Sequence, residues 1–196
     1  MAASAIRRPS YKQYLAMLFV GVWLAFGNGA ARAQQRPEYE VKAEFLPLFS
    51  HFVKWPATAF PDKQSPLIIG VLGNDPFGSA LDQAIKKEGT AGGRKLVLKR
   101  STRVDDLKTC HVLFICKSEE NRIEEILAGL GESSILTIGD FHGFAERGGM
   151  INLFLKEDKI RFEINPEAAR RRDLKLSSQL LNLAKIVKTE PDKEGG

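Results

Sequence analysis

The chain has 196 residues, with 29 Lys or Arg and 24 Asp or Glu, which gives a formal net charge of +5. Four of the basic residues and none of the acidic ones lie in 1–33, so the remainder has 25 basic against 24 acidic side chains and a charge of about +1. A nucleic-acid-binding domain needs a basic field that neutralises phosphates. The near-neutral remainder therefore argues against a nucleic-acid partner.

The N-terminal segment has the three parts of a secretory signal peptide. Arg7, Arg8 and Lys12 form a positively charged region, 14–26 is apolar, and 31–33 has the sequence Ala-Arg-Ala, an A-x-A cleavage site. We expect 1–33 to be removed by cleavage after Ala33, with the arginine pair leaving open whether export is general secretory or twin-arginine.

A retained membrane anchor is the alternative to cleavage. A spanning helix needs about 20 apolar residues, but this apolar run is interrupted at 27–29 by Gly-Asn-Gly. The product then extends from Gln34, and its length suits one α/β domain over 34–189. The charged, glycine-ended segment 190–196 is predicted to be a disordered tail.

The two cysteines lie at the ends of a predicted strand. Cys110 and Cys116 flank the apolar segment 111–115, and six strand steps separate their Cα atoms by about 20 Å. A disulfide requires Cα atoms within about 7 Å. We therefore predict no bond between them; each is a buried thiol, or, for Cys110, a partner for another chain.

The first half of the domain alternates helices and strands. Apolar residues at helical spacing predict a helix from 38 to 53, kinked or restarted at Pro47 and ended by 55–56. A continuous apolar run predicts the strand Leu67–Leu72. Asp75-Pro76 predicts the start of a helix that ends at about Lys87, and 95–99 predicts the next strand.

After the strand 111–115, the second half predicts one more strand, a hairpin and further helices. Ser118 is expected to cap a helix whose inner face contains Ile123, Ile126, Leu127 and Leu130. Strands follow at 135–138, 150–155 and 159–164, the last two as a hairpin, and Asn165-Pro166 starts another helix. Leucines at 176, 180 and 183 predict a last helix. The fold class is an α/β three-layer sandwich with a mixed, mostly parallel sheet of about six strands and a C-terminal hairpin followed by helices.

No catalytic constellation is recognisable. His51, His111 and His142 have no second ligand at metal-binding spacing. The segment 70–78 lacks the first glycine pair of a dinucleotide loop, and Pro76 removes an amide that would face a phosphate. We find no nucleophile with a base, so we expect neither enzyme activity nor a metal or cofactor.

The best binding candidates follow the fourth predicted strand, since ligands of open α/β sheets lie beyond the carboxyl ends of strands. The loop 139–149 combines a carboxylate, a guanidinium and aromatic side chains, of which Phe141 or Phe144 is expected to be exposed. The hairpin adds polar residues at alternate positions. The predicted binding residues are Asp140, Phe144, Arg147, Asn152, Arg161 and Glu163. The alternative is an ordinary loop with cross-strand charge pairs.

Five segments in order also resemble the YfiR family of periplasmic proteins, over 40 to about 187. They are VKAEFL at 41–46 with FVKWP at 52–56; IGVLGNDPFG at 69–78; CHVLFI at 110–115; LTIGD at 136–140 with GFA at 143–145 and RGGMIN at 147–152; and RFEIN at 161–165 with the serine pair 177–178. Two positions depart from the family pattern. Pro47 stands inside the first helix, and Met150 replaces a cysteine that some members use in a disulfide.

The resemblance implies regulation without catalysis. It implies a periplasmic protein of compact α/β fold that forms a homodimer and represses an inner-membrane diguanylate cyclase through that enzyme's periplasmic sensor domain. Repression lowers cyclic di-GMP and restrains biofilm formation, and an outer-membrane-associated protein can sequester the repressor. The alternatives are a periplasmic protein that binds a small solute or sensory ligand, and an enzyme that uses Cys110 or Cys116.

Overall fold

The computed structural model describes residues 37–189. The predicted signal peptide over 1–33 and the predicted tail over 190–196 lie outside the described residues, so both stay predictions, as does the extent of the domain. Within the described part, helices cover both faces of a mixed sheet. The predicted fold class, a three-layer α/β sandwich, is therefore confirmed.

The strands of the described region are β1 (Val53–Lys54), β2 (Leu67–Leu72), β3 (Thr90–Ala91), β4 (Arg94–Ser101), β5 (Val112–Ile115), β6 (Leu136–Gly139), β7 (Ile151–Lys156), β8 (Lys159–Ile164), β9 (Lys175–Leu176) and β10 (Lys185–Ile186). Eight of them form one sheet in the order β10-β8-β7-β6-β5-β2-β4-β3, whereas β1 pairs only with β9. Neighbouring strands of the large sheet are parallel except β7 with β8 and β3 with β4. The sheet exceeds the predicted six strands because two-residue strands, β3 and β10, form its edges.

The α-helices of the described region are α1 (Glu38–Phe49), α2 (Ser79–Glu88), α3 (Ile123–Gly129), α4 (Pro166–Arg171) and α5 (Ser178–Leu181). Short 3₁₀ helices lie at Ala57–Ala59, Val104–Leu107 and Lys117–Arg122. No helix within 37–189 is long and apolar enough to cross a membrane.

Aromatic side chains fix α1 and α2 to one face of the sheet. The rings of Phe45 and Phe49 in α1 lie 6.3 Å and 5.5 Å from that of Phe162 in β8. Phe77, just before α2, contacts Phe114 of β5 with ring centroids 4.7 Å apart. Buried aromatic side chains contribute large apolar areas, so these contacts close the first layer onto the sheet.

The opposite face is covered by α3 and the 3₁₀ helix Val104–Leu107. Ile123, Ile126 and Leu127 of α3 are buried in one cluster with Leu113 and Ile115 of β5. This confirms the inner face predicted for that helix. Because Phe114 points to α1 and α2 while its neighbours 113 and 115 point to α3, β5 is buried on both faces and has no polar residue.

The C-terminal hairpin forms from the two predicted strands. Lys156 of β7 pairs with Lys159 of β8 across the two-residue turn Glu157-Asp158. Both turn residues have positive φ, 51° and 56°, as a type I′ turn requires. Asn165 caps α4 as predicted, since its side chain accepts a hydrogen bond of 3.0 Å from the Ala168 N–H.

The first helix is shorter than predicted. It ends at Phe49, with Pro47 inside its last turn, and does not restart there. Pairing of Val53 with Leu176 draws the following chain into β1. The buried stripe of α1 includes Lys42 and Leu46. Val41, which was predicted to face the core, is only half-buried.

Two predicted helix starts are wrong. Asp75 does not cap α2; its carboxylate accepts a hydrogen bond of 2.7 Å from the Phe77 N–H, and Gly78, at φ 53°, precedes the first helical residue. Ser118 lies in a 3₁₀ turn and its hydroxyl accepts from the Asn74 N–H, so the α-helix begins only at Ile123. Ser118 thus joins two loops, whereas Asp75 closes a turn within its own loop and pairs with Arg100 of β4.

The predicted last helix is also wrong. Leu176 lies in β9, and only Ser178–Leu181 is helical, capped by the Ser177 hydroxyl that accepts from the Leu180 N–H at 3.2 Å. The chain then adds Lys185–Ile186 to the edge of β8. Sheet edges offer unpaired backbone groups, and this tertiary pairing outweighs the local helical pattern.

Cys110 and Cys116 are free and buried, which confirms that they do not bond to each other. Burial raises the pKa of the Cys110 thiol to about 11 and that of Cys116 to about 12. Both are therefore protonated at neutral pH. Cys110 is only 3% exposed, which disfavours the predicted option of a bond to another chain.

Candidate functional site

The six predicted binding residues do not form one site. Asn152 and Glu163 are in contact, whereas the other four lie at separate places: in a buried ion pair, in the core, against α3 and on the exposed end of the hairpin. The six are Asp140, Phe144, Arg147, Asn152, Arg161 and Glu163.

Asp140, the first residue after β6, is neutralised within the protein. Its carboxylate lies 2.8 Å from the ammonium of Lys42, and the two side chains are 1% and 3% exposed. Lys42 also pairs with Glu38 at 2.5 Å. Burial, and next the nearby Asp140, raise the pKa of Tyr39 above its ordinary value. These contacts join α1 to the carboxyl end of the sheet rather than presenting Asp140 to a ligand.

Lys42 was missed by the sequence reasoning, although a signal was present. It lies four residues before Leu46 and seven before Phe49, on the buried stripe of α1. A lysine at a core position requires a buried counter-charge. The pattern therefore predicts a partner, but not that this partner is Asp140, 98 residues further along the chain.

The aromatic residues of the loop are in the core, so the expected exposure of Phe141 or Phe144 is wrong. They are 4% and 0% exposed, with ring centroids 5.2 Å apart. The Phe144 ring occupies the space beside Gly139, where a Cβ atom would lie 2.5 Å from it, and it contacts Gly149 similarly. The two glycines create the slot that draws the ring inward.

Arg147 fixes the loop to α3. Its guanidinium donates to both carboxylate oxygens of Glu124, at 2.6 Å and 2.9 Å, and to the Glu120 carbonyl at 2.8 Å. The guanidinium lowers the pKa of Glu124 below its ordinary value. These three hydrogen bonds hold the loop against Glu120 and Glu124.

The hairpin brings Asn152 and Glu163 together with a residue that was not predicted, Lys185. The Asn152 amide donates to Glu163 at 3.2 Å, and the Lys185 ammonium donates to the other carboxylate oxygen at 2.7 Å. Asn152 is 4% exposed and its carbonyl oxygen has no hydrogen-bond partner among the described residues. This cluster closes the base of the hairpin.

Beyond this base the same face becomes cationic. Residues 152, 154 and 156 pair with 163, 161 and 159, so all six side chains lie on one face. We call the three exposed cations Lys156, Lys159 and Arg161 the cationic face. Lys156 and Lys159 are directly opposite each other, so the expected cross-strand pairs of opposite charge are absent from this part of the hairpin.

A groove of about 580 Å³ lies between α1 and α2, lined in part by Tyr39, Phe77, Ser79 and Gln83. Its volume is within the range of small-molecule sites. Within 37–189 no three His, Cys, Asp or Glu side chains are grouped as metal ligands. His111 is engaged at both ring nitrogens, by the Ile68 N–H at 3.0 Å and the Ala59 carbonyl at 3.0 Å.

Residues 39–185 match the sequence profile of the family described as YfiR/HmsC-like. The chain belongs to the YfiR/HmsC-like family. This confirms the resemblance seen in the sequence. The matched range of the YfiR/HmsC-like domain extends from the start of α1 to β10 and so contains the Lys42–Asp140 pair, the loop and the hairpin.

Solved structures share the fold of this YfiR/HmsC-like chain at low identity. One is a conserved domain protein from Vibrio cholerae O1 biovar eltor, 16% identical, with 77% of this chain and 60% of that chain covered and a TM-score of 0.50. Another is the ABC domain in complex with L-Trp from Streptococcus pneumonia, 8% identical, with coverage of 74% and 60% and a TM-score of 0.50. The match spans about 60% of each of these proteins, and it shows the fold alone. No curated protein matches the chain.

Proposed function

We propose that this protein is exported, is processed after Ala33, and acts in the periplasm as a repressor of an inner-membrane diguanylate cyclase. It binds the periplasmic sensor domain of that enzyme, lowers cyclic di-GMP and restrains biofilm formation. The observation that carries the proposal is the family match over residues 39–185. The segments that underlie the resemblance lie throughout this range.

The chemistry of the described residues supports binding rather than catalysis. The two thiols are buried and protonated, so neither supplies a thiolate nucleophile. Exposed charges without ion-pair partners are instead present on the hairpin, at Lys156, Lys159 and Arg161. A regulatory protein needs such a surface for its partner and needs no activated side chain.

Two finer features belong to the same proposal. The protein acts as a homodimer, and an outer-membrane-associated protein sequesters it and so releases the cyclase. Sedimentation analysis of the exported protein tests the dimer, with a single species of twice the monomer mass expected. A strictly monomeric protein across micromolar concentrations would contradict that feature without affecting repression.

The central experiment is deletion of the gene followed by complementation. Deletion is expected to raise cyclic di-GMP and biofilm mass, and the full-length gene restores both to the original level. A matched control lacks residues 2–33, so that the protein stays in the cytoplasm, and is expected not to restore repression. Purified cyclase sensor domain should bind the exported protein directly. Unchanged cyclic di-GMP after deletion, together with no binding, would refute the proposal.

Binding of a small ligand is the second candidate, because the groove between α1 and α2 has a volume of about 580 Å³. Tyr39 and Phe77 provide apolar walls there, and Ser79 and Gln83 provide polar groups. Thermal-shift assays with free amino acids and small aromatic solutes test this candidate. A ligand-dependent rise in melting temperature that Gln83→Ala abolishes, with no effect of gene deletion on cyclic di-GMP, would favour it over repression.

A further inference from the structure

The hairpin extends beyond the rest of the sheet. Strand β6 ends at Gly139, which pairs with Asn152, and β7 continues for four more residues to Lys156. At about 3.4 Å per residue, the ribbon projects by about 14 Å. On the other side, β10 pairs with β8 only at Glu163 and Ile164. Both edges of the projecting ribbon are therefore without a neighbouring strand in the described part of the protein.

The three cations on one face of this ribbon have no ion-pair partner among the described residues, although Glu157 and Asp158 form its tip. Lys156 and Lys159 are directly opposite, and like charges at such positions destabilise a hairpin. Neither lysine, nor Arg161 on the same face, forms an ion pair or side-chain hydrogen bond with a described residue. By contrast, Glu163 at the base of the hairpin is bound by Asn152 and Lys185. An anionic partner would relieve the repulsion that the free protein retains.

The ribbon also has an apolar anchor. Leu155 is 47% exposed on the face opposite the cationic face, and its cross-strand partner is Ile160. Most exposed apolar side chains are scattered singly, but this one lies beside open backbone edges and three unpaired cations. The ribbon therefore offers apolar contact, backbone hydrogen bonds and positive charge within a few residues.

We propose that the projecting ribbon is the surface that binds the protein partner, and that the partner segment is extended and acidic. Backbone groups of the segment pair with an open edge of the ribbon, as in strand addition. Its carboxylates lie against Lys156, Lys159 and Arg161. This inference rests on the proposed function, since it names the surface and the chemistry through which the cyclase is bound.

Three other occupants fit less well. An anionic membrane would meet Glu157 and Asp158 first, because these acids form the tip of the ribbon. Lipid headgroups also cannot pair with a strand edge as a peptide can. A second copy in a two-fold symmetric contact would place the same cations against each other. Nucleic acid is disfavoured by the nearly neutral charge of the exported chain.

The test uses a charge-reversed ribbon and a matched control. Lys156→Glu/Lys159→Glu keeps a like-charge pair at the same positions and inverts the sign of its charge. Because the new carboxylates lie beside Glu157 and Asp158, the melting temperature is measured to show that the variant is folded. Lys95→Glu/Lys99→Glu makes the same charge change at exposed positions of β4, near the other end of the sheet. Both full-length variants are expressed in the deletion strain, and the exported proteins are purified for binding to the cyclase sensor domain.

The ribbon variant is expected to melt within about two degrees of the wild type, lose at least tenfold in affinity, and fail to lower cyclic di-GMP. The control should bind and repress normally. Wild-type affinity should fall with added salt, as pairing of exposed charges predicts. Replacing acidic residues of the partner segment by lysine should restore binding to the ribbon variant.

Normal repression by the ribbon variant would overturn this inference and leave the proposed function intact. No change in cyclic di-GMP on gene deletion would instead remove the proposed function and, with it, this inference. Binding of the wild type, but not the ribbon variant, to vesicles with 30% phosphatidylglycerol, without binding to the sensor domain, would assign the ribbon to the membrane and so refute a protein partner.

Discussion

The loop 139–149 and the hairpin that follows it leave the same edge of the sheet, and both have polar residues that suggest binding. In the loop these residues are used within the protein: Asp140 pairs with Lys42, and Arg147 with Glu124. In the hairpin, only the base has such an internal ion pair, between Glu163 and Lys185. The end of the hairpin keeps its cations unpaired and exposed.

This difference shows that position at the carboxyl end of a parallel sheet does not by itself make a binding site. A loop that covers the core must satisfy its own charges, because unpaired charges are costly in a dry interior. A ribbon that extends into solvent has no such requirement. Its unpaired charges can therefore be retained for a partner. Substitutions in the internally paired part and in the exposed hairpin test this difference.

Phe144→Ala tests whether the loop belongs to the core. The substitution removes a ring with 0% exposure that packs against Gly139 and Gly149, and it should cost about 3–5 kcal/mol of unfolding free energy. Urea denaturation measures the change. Phe154→Ala, at a half-buried position of the hairpin, is the control and should cost less than half as much. Equal costs would mean that loop and hairpin are not distinguished by burial.

Lys42→Ala tests the buried ion pair. The variant leaves the Asp140 carboxylate, 1% exposed, without its cation, and should cost about 3 kcal/mol. Replacing both Lys42 and Asp140 by leucine should recover much of this loss, because no charge is then left buried. Arg170→Ala breaks an exposed pair with Glu167 and should change stability by less than about 0.5 kcal/mol. If Lys42→Ala lowers stability as little as this control does, the buried pair does not stabilise the fold.

Acidification tests His111, another side chain whose polar atoms are hydrogen-bonded within the protein. Burial, more than any other cause, lowers its pKa, and the Ile68 N–H donates to a ring nitrogen that protonation would block. The unfolded chain therefore binds the proton more readily, so this contribution to stability is complete above about pH 6.5 and is lost as the pH falls through the lower folded-state value.

Denaturation between pH 7.5 and 5 should show a smaller decline for His111→Gln than for the wild type, although the variant is less stable at neutral pH. His142→Gln, at an exposed position, serves as the control and should follow the wild-type profile. Parallel curves for all three proteins would show that His111 does not contribute to the decline.

Lys156→Glu tests the open half of the comparison. It replaces the like-charge pair with Lys159 by an opposite-charge pair across the hairpin, and should raise stability by about 0.2–1 kcal/mol. Thermal unfolding at low ionic strength measures the gain, which added salt should reduce. Lys95→Glu is the control, because Lys95 is at an exposed strand position and faces Thr90 rather than a lysine. It is not expected to raise stability. A loss of stability would indicate that Lys156 already has a favourable partner.

Features that depend on neighbouring residues could be predicted from the sequence alone. The continuous run at Leu67–Leu72 specified a buried strand, and β7 and β8 followed from two apolar runs separated by a two-residue turn. Asn165 before Pro166 specified a capped helix start. The order of such segments was sufficient for the fold class and for the family, because each depends on local backbone preferences and local periodicity.

The tertiary fold sets which side chains are used inside the protein and which stay exposed. It paired Lys42 with Asp140 across 98 positions of sequence, drew Phe144 into a slot made by two glycines, and used Leu176 in a strand although its spacing suited a helix. It also left Lys156, Lys159 and Arg161 exposed and without an ion-pair partner among the described residues. Burial and ion pairing depend on which distant segments come into contact. The sequence pattern predicts the secondary structure of each segment but not the contacts between segments.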